Sequence, residues 1–343
     1  MLGTGLKLLH LLSPRATSST VHRLSTKPPT TTRRGLYYIH TKRGTTLTKN
    51  LHIEHPEDTI LTGDLSVLDW FSAPSDISVK MDGSVAIVWG INPENGRFFV
   101  GKKSVFNKVK VQICYTPQDI TRFYGDRPEL ADILLTCLDF LPRTGGIYQG
   151  DFIGVGGKST YTPNTITYDF GAPVEEMLII APHTYYIADT IKGAVAKPLN
   201  IILDSTDDVL FVQPTVDCSY RFTKEVEEVR SIFEKVTPMT PKAAAEARIA
   251  VNAFIREGKE LTAEVLELIF DDIILAHAYI LTISLKTMMM EAMVTYDDGP
   301  VCYINGEQSD DEGFVRSNEY GTLKLVDRYQ FARANFNNAR FSN

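Results

Sequence analysis

The pattern of apolar and polar positions divides the chain after residue 49 into a strand-rich part and a helical part. Between residues 52 and 220, short apolar runs alternate with turn residues. These runs predict strands at 85–89, 98–100, 109–114, 147–153, 166–168, 177–180 and 199–203. One longer segment, 127–140, predicts a helix that interrupts them. The first part is therefore expected to be mostly sheet.

The hydrophobic period changes near residue 221, where the segments 223–236, 241–257 and 262–293 predict helices. Pro241 suits a first helical turn, and Thr262 is a helix start signal. The third segment is strongly apolar around 269–283. It also carries ionisable residues that favour a buried bundle helix over a membrane span, namely Glu264, Glu267, Asp271, Asp272 and His277.

Strands are predicted again at 301–304, 313–316 and 322–326. The helical block is therefore expected to be an insertion between two parts of one catalytic sheet, in a fold of the α+β class. The expected divisions are 1–49 as a tail without assigned fold, 50–220 as the first part of the main domain, 221–298 as the helical insertion and 299–343 as the final strands.

The segment with the clearest chemical meaning is Lys80-Met81-Asp82-Gly83, which precedes the apolar run 85–90. Asp-Gly is a strong turn pair, because glycine adopts backbone angles that other residues resist and aspartate bonds to nearby amides. A lysine held by such a turn suits a covalent nucleophile once its amine has lost a proton. Taken alone, the motif fits a solvated lysine beside a hairpin equally well.

Three distant segments extend this motif: Gly150-Asp151-Phe152, Glu312-Gly313-Phe314-Val315, and Lys324 within 322–326. Their order and context resemble the covalent nucleotidyltransferase superfamily of ATP-dependent DNA and RNA ligases and mRNA capping enzymes. The resemblance spans roughly residues 52 to 336. Within it, the segments 52–58, 103–108, 148–152 and 162–168 look like a ligase-like group found in tailed bacteriophages.

The resemblance implies a ligase-type adenylation domain of antiparallel sheets flanked by helices. It also implies that Lys80 attacks the α-phosphate of ATP, that Lys324 places positive charge against that phosphate, and that Glu312 binds Mg²⁺ directly or through water. The implied nucleotide contacts are Asp82, Gly83, Lys102, Lys103, Asp151 and His183. Lys102 and Lys103 are expected on the next strand of the same sheet as Lys80.

Several positions depart from the family pattern. Asp151 stands where glutamate is usual, Ser78 where glutamate is frequent, and Lys324 is a single lysine where two are common. Glu312 could instead be a charged loop residue and Lys324 a polar residue on an edge strand. His183 could stack on a base, or be a satisfied histidine at the end of a strand.

The resemblance therefore leads to one expected function and two alternatives. The expected function is an ATP-dependent polynucleotide ligase that seals 5′-phosphate to 3′-hydroxyl ends, on RNA or nicked duplex in repair. The alternatives are a guanylyl-transferring capping enzyme and a ligase-like protein that binds nucleotide or nucleic acid without ligation. Only 17 residues follow Val326, so no C-terminal OB-fold is expected.

Charge is distributed unevenly along the chain. Residues 1–49 hold nine basic and no acidic residues, which leaves 26 basic against 42 acidic residues in the remainder. So acidic a body does not favour a broad nucleic-acid surface. A local surface remains possible, or a solvated face of mixed charge, at Lys102, Lys103, Lys108, Lys110, Arg122 and Arg127.

The first 49 residues are rich in Ser, Thr and Arg and begin with a short apolar patch. This composition fits a mitochondrial transit peptide, an upstream extension of a phage reading frame, or a disordered tail. Four scattered cysteines indicate a reducing compartment and no zinc site. A cytoplasmic location is therefore expected, in the host cell if the protein is viral, with a mitochondrial one as the alternative. No membrane partner is expected, and the oligomeric state stays open.

Overall fold

The protein is described from a computed structural model, which covers residues 53–296 and 299–331. The predicted tail, 1–49, lies outside the described residues. The helices are α1 Pro56–Thr59, α2 Ser66–Ser72, α3 Pro117–Tyr124, α4 Pro128–Phe140, α5 Thr223–Phe233, α6 Pro241–Arg256, α7 Ala263–Phe270 and α8 Ile273–Glu291. The strands up to the helical block are β1 Asp76–Lys80, β2 Val85–Ile91, β3 Phe98–Gly101, β4 Ile147–Gly154, β5 Thr160–Tyr161, β6 Ile166–Asp169, β7 Leu178–Ile187, β8 Val195–Pro198, β9 Val209–Phe211 and β10 Val216–Asp217. The strands after it are β11 Val294–Thr295, β12 Val301–Ile304, β13 Glu307–Ser309, β14 Gly313–Asn318 and β15 Gly321–Val326.

These strands form separate sheets, in which neighbouring strands are antiparallel except for β7 and β9. The largest has the order β3-β2-β4-β7-β8, with β9 added parallel to β7. A three-stranded sheet has the order β1-β14-β15, and a four-stranded sheet has the order β13-β12-β6-β5. The α+β class is confirmed. The prediction of one catalytic sheet is wrong, because the last strands pair with β1 and β6 rather than with β2 or β4.

The six-stranded sheet is held by an apolar cluster beneath α4. Ile87, Trp89 and Val100 are fully buried there against Leu134 of the helix. The ring of Trp89 also stacks on that of Phe211, with centroids 5.9 Å apart. Burial of this kind stabilises the folded state by roughly 25 cal/mol for each Å² of apolar surface removed from water. The sheet is therefore a rigid base for the loops at its edges.

The helical block packs on the three-stranded sheet. Successive residues of a strand point to opposite faces, so Val79, Phe314 and Leu325 share one face. That face is buried in the same apolar cluster as Leu275 and Tyr279 of α8. α8 is long and apolar enough to cross a membrane by length and composition, yet 56% of its most apolar window is buried inside the protein. It is a core helix of this fold.

Arg316 of β14 occupies a buried position on that apolar face. Its guanidinium lies over the ring of Trp70, 4.7 Å from the centroid, and donates hydrogen bonds to the carbonyl oxygens of Trp70 and Ala73. Burial lowers the pKa of Arg316 to about 10. The arginine ties β14 to α2.

Several predicted elements differ from the structure. The predicted helix 262–293 is two helices, because Asp271 adopts a left-handed φ of 55° and Asp272 then caps α8. The predicted strands 109–114 and 199–203 are wrong; both segments are loops beside the sheet, apart from one antiparallel bridge between Cys114 and Val100 of β3. Helices α1, α2 and α3 were not predicted, since each is short and its apolar positions do not cover a full helical stripe.

Candidate functional site

Lys80 and Glu312 form the centre of the candidate site. Lys80 is the last residue of β1 and lies opposite Gly313, the first residue of β14. This register brings the Lys80 Nζ into a hydrogen-bonded ion pair with Oε2 of Glu312. The side chains are only 25% and 13% exposed. The structure therefore brings together two of the predicted site residues.

Lys324 lies on the same face of this sheet as Lys80. It pairs with Val315, which pairs with Ser78 on β1, and side chains two residues apart on a strand share a face. Its backbone N–H donates a 3.0 Å hydrogen bond to the carbonyl oxygen of Glu54. Burial, followed by the charges of Lys80 and Arg328, lowers the pKa of Lys324. The sheet thus presents two lysines toward one side.

The Asp82-Gly83 turn packs against β4. Asn164 donates a 2.6 Å hydrogen bond to Oδ2 of Asp82, and the Asp82 N–H donates to the Tyr168 hydroxyl at 2.7 Å. A Cβ on Gly83 would lie 2.5 Å from the carbonyl oxygen of Phe152, so only glycine fits this approach. The turn is therefore fixed between β4, β6, which carries Tyr168, and the loop before β6, which carries Asn164.

Asp151 lies on β4, opposite Ala86 of β2 and next to this turn. Its Oδ1 is 3.8 Å from Nε2 of His183, and the amide of Gln149 lies 3.5 Å from the same nitrogen. The sequence indicated that His183 directly follows an apolar strand, but the structure places it inside β7. The structure therefore places Asp151 and His183 side by side.

Lys102 and Lys103 are placed differently from the prediction. They follow β3, and Lys103 begins a short 3-10 helix, Lys103–Phe106. β3 belongs to the six-stranded sheet, whereas Lys80 belongs to the three-stranded one. Among the contacts of the described residues, none joins either lysine to Lys80. The expectation that both lie in the sheet of Lys80 is wrong.

The carboxylates around Lys80 repel one another. Burial raises the pKa of Glu312, and the charges of Asp82 and Asp151 add to the rise while Lys80 opposes it. Burial likewise raises the pKa of Asp82, and the charge of Asp151 contributes. Within residues 53–296 and 299–331, no group of three His, Cys, Asp or Glu side chains is gathered closely enough to enclose a metal ion. A cation that used substrate oxygens as further ligands would still relieve this repulsion.

A cavity of about 430 Å³ lies next to the segment that carries Asn164, the hydrogen-bond donor to Asp82. It is lined by residues 153–156, 158 and 160–163, directly before Asn164. Its glycine-rich loop does not present free backbone donors, because the N–H groups of Gly157 and Lys158 bond to Val174 and Tyr161. The cavity therefore lacks the ring of open amides that a phosphate-binding loop provides.

The sequence model of one family of unknown function, DUF6267, matches residues 50–269 and 270–340. The chain belongs to DUF6267. No curated protein and no solved structure matches it. Family membership therefore brings no activity with it, and the roles of the site residues depend on the motifs and the geometry.

A second ionic cluster of this DUF6267 protein lies behind Lys324, and sequence reasoning missed it. Lys286 of α8 donates a 2.6 Å hydrogen bond to Glu57, whose side chain is fully buried. Arg328 donates to Glu57 and Asp58 at 3.2 Å, and the Tyr279 hydroxyl donates to Asp58 at 2.8 Å. The lysine inside a strongly apolar helix was the available signal, since such residues are buried only when paired.

Two atoms of this cluster have no hydrogen-bond partner among the described residues of the protein. They are Oε2 of Glu57 and Nδ1 of His55, both buried. Burial and the nearby cations Lys286, Arg328 and Lys324 lower the pKa of His55 to about 2, although Glu57 opposes this. His55 is therefore neutral in the folded protein. The cluster joins α1 to α8 and to the segment after β15.

Proposed function

We propose that this protein is an ATP-dependent polynucleotide ligase with the adenylation-domain fold of the covalent nucleotidyltransferases. The observation that carries the proposal is the ion pair between Lys80 and Glu312, residues 232 positions apart. The motif pattern required this pair to meet, and nothing in the composition requires it. Lys324 on the same sheet face and Asp82 and Asp151 beside the nucleophile support the same proposal.

In the first step, Lys80 becomes the nucleophile. The carboxylate of Glu312, with which its ammonium is in hydrogen-bond contact, accepts a proton from it and passes that proton to solvent. The free amine then forms a bond to the α-phosphorus of ATP, and its nitrogen loses a second proton to solvent. The bond from that phosphorus to the β-bridging oxygen breaks, and pyrophosphate leaves with the electron pair. The product is a lysyl phosphoramidate of AMP.

Lys324 would act on the charge that develops during this step. Its partly buried ammonium lies on the side of the sheet where the α-phosphate must approach Lys80. A fixed positive charge in a partly dry site stabilises a developing negative charge more than it would in water. Lys324 is therefore assigned to stabilising the transition state.

Two further steps would complete ligation. A 5′-phosphate oxygen attacks the phosphorus of the lysyl-AMP, the P–N bond breaks, and the amine of Lys80 recovers a proton. A 3′-hydroxyl then attacks the activated 5′-phosphate, loses its proton to solvent and releases AMP. His183, beside Asp151, would stack on the adenine base, because its ring is a third exposed.

The carboxylates fit a requirement for Mg²⁺. Mg²⁺ binds through one or two carboxylates together with phosphate oxygens and waters. Glu312 and Asp151 are the residues that would hold it. Their negative charges repel each other, and a bound cation would offset this repulsion. The ion would neutralise charge on the phosphates of ATP.

Covalent self-labelling tests the proposal. The protein is incubated with Mg²⁺ and α-labelled ATP or GTP, denatured and separated on a gel. We expect label from ATP in the wild type and none in Lys80→Ala or Lys80→Arg. Lys197→Ala, which removes an exposed lysine of β8, serves as the matched control and keeps the label.

The same gel separates the other hypotheses. Label from GTP alone would replace ligation by guanylyl transfer. Label that survives Lys80→Arg would move the nucleophile elsewhere. No label from either nucleotide would leave a ligase-like binding protein. Sealing of single-stranded RNA and of nicked duplex by the labelled protein then distinguishes the substrates.

A further inference from the structure

The loop 107–111 protrudes from the edge of the six-stranded sheet. β3 is the edge strand, and after the helix Lys103–Phe106 all five residues 107–111 are exposed. Both ends of the loop are fixed. The Gln112 N–H donates to the Ser104 carbonyl oxygen at 3.3 Å, and the ring of Phe106 packs on that of Tyr186, with centroids 4.3 Å apart. The tip is therefore held away from the core.

The tip presents apolar and basic side chains together. Val109 is 78% exposed and Val111 43% exposed, and they alternate with the exposed Lys108 and Lys110. Lys110 adopts a φ of 53°, a left-handed conformation that non-glycine residues rarely take. Backbone of this kind costs on the order of 1 kcal/mol or more and is concentrated at functional segments. These features point to a contact surface.

Charge around the loop is opposite to that of the protein body. Residues 97–127 hold seven basic and two acidic residues, although residues after 49 hold 26 basic and 42 acidic ones overall. One of the two acids, Asp119, is used in the capping box of α3. Two guanidinium groups lie over aromatic rings, that of Arg97 4.3 Å from the centroid of Tyr115 and that of Arg127 5.0 Å from the centroid of Tyr124. The edge is thus a local cationic surface.

The loop also lies at the end of the sheet where Lys80 is found. β2 begins at Val85, directly after the Asp82-Gly83 turn. β3 runs antiparallel to β2 and ends at Gly101, opposite Val88. The chain therefore leaves β3 toward the end of the sheet that carries the turn. The loop and the Asp82-Gly83 turn therefore lie toward the same end of the sheet.

We infer that the basic edge, defined as Lys102, Lys103, Lys108, Lys110, Arg122 and Arg127, binds the phosphate backbone of a single-stranded polynucleotide whose end is presented to Lys80. The inference rests on the proposed ligase function for its direction toward Lys80. Lysines and arginines supply the phosphate contacts. Val109 and Val111 supply apolar contact to unstacked bases, which a single strand exposes and a duplex does not.

Fluorescence anisotropy with labelled 20-nucleotide single-stranded RNA and DNA tests the inference on the full chain. The test variant is the double substitution Lys108→Glu/Lys110→Glu. The matched control is Lys235→Glu/Lys242→Glu, which makes the same charge change at two exposed lysines of the helical block. All proteins keep residues 1–49, so binding by the nine basic residues of that segment is common to them.

We expect the loop variant to bind at least about tenfold more weakly near 0.1 M salt. The slope of log binding constant against log salt concentration should also become shallower by about 1.4, because each of the two lost phosphate contacts on a single strand removes about 0.7 from it. The control should bind within about twofold of the wild type. Equal losses in both variants, or no loss in either, would overturn the inference. So would loop-dependent binding to anionic phospholipid vesicles without binding to nucleic acid.

Self-labelling of the wild type, scored separately, distinguishes the two proposals. A protein that takes up no label but binds single strands through the loop keeps the surface and rejects the ligase. A protein that takes up label but binds single strands equally well without the loop lysines keeps the ligase and rejects the surface.

Discussion

Lys80 and Glu312 meet because β1 and β14 pair with Lys80 opposite Gly313. The contact depends on a backbone register, not on a flexible side chain reaching across the molecule. A shift of one residue in that pairing would turn the Lys80 side chain to the other face of the sheet. The chemistry proposed for Lys80 therefore depends on features that fix this register, and these can be tested separately.

Replacement of Glu312 tests its role directly. Glu312→Gln keeps the shape of the side chain and removes its charge. We expect self-labelling to slow by about 100-fold, the usual cost of removing one such group from a reaction centre. The melting temperature should change little. Glu307→Gln, at an exposed position of β13, is the control, and equal labelling by both variants would refute the role of Glu312.

Gly313→Ala tests the register itself. Gly313 has a φ of +147°, and a Cβ there would lie 2.0 Å from the carbonyl oxygen of Leu325. The pairing of β14 with β15 must open to admit the methyl group. We expect a loss of about 2 kcal/mol or more in unfolding free energy, together with loss of self-labelling.

The control for that substitution is Gly145→Ala, where a Cβ would meet no atom within 4 Å. Urea denaturation and the labelling gel are the measurements. If Gly313→Ala has the same unfolding free energy and the same self-labelling as the wild type, β14 does not pair with β15 at Gly313 as described.

The buried ion cluster predicts a large and specific loss of stability. Among the described residues, Lys286→Met leaves the fully buried Glu57 with Arg328 as its remaining cationic partner. Breaking a buried pair on one side costs about 3–5 kcal/mol, since a charge is left uncompensated. Adding Glu57→Gln to this variant should restore part of the loss in urea denaturation. Lys242→Met, which breaks an exposed pair with Glu246, should cost less than about 1 kcal/mol.

His55 predicts a dependence of stability on pH. Its pKa is about 2 in the folded protein and ordinarily 6.5. The unfolded chain therefore binds a proton below pH 6.5 that the folded chain does not, and stability falls as the pH falls from 6.5 toward 2. Between pH 6.5 and pH 5 this group should remove about 2 kcal/mol. Burial raises the pKa of Glu57, but the charges of Lys286 and Arg328 outweigh it and lower this pKa from 4.5 to about 2, so the contribution of Glu57 is lost in a lower window, below pH 4.5.

Comparing the wild type with His55→Leu by urea denaturation at pH 7 and pH 5 isolates this contribution. Other titrating groups are common to both proteins, so the wild type should lose about 2 kcal/mol more than the variant. Parallel losses in the two proteins would show that His55 is protonated in the folded state.

The central strands and most of the helical block could be predicted from the sequence. Residues 87–90 are buried on both faces of the strand, so the continuous apolar run 85–89 identified β2. The segment 109–114 misled the prediction because Lys and Val alternate there with the period of a strand while the valines face solvent. Alternation alone does not show which face is buried.

The site was predictable in part for a different reason. The motifs indicated that Lys80, Glu312 and Lys324 would be close, but local pattern does not determine which strands pair, and Lys102 and Lys103 were therefore misplaced. The cluster of Glu57, Lys286 and Arg328 could not be assembled from sequence. Glu57 is 229 positions from Lys286 and 271 from Arg328, and although the apolar surroundings of Lys286 in the sequence indicate burial, nothing local identifies its partners.

Arg316 has a consequence for how β14 finds its place. The carbonyl oxygens of Trp70 and Ala73 both accept hydrogen bonds from this one side chain. If β14 slid two residues along β1, Phe314 or Asn318 would take its position, and neither can donate to both oxygens while covering the indole ring. Mispaired arrangements of the strand thus carry a desolvation penalty that the native one avoids. Arg316, which is far from the reacting groups, thereby fixes the strand register that places Glu312 beside Lys80.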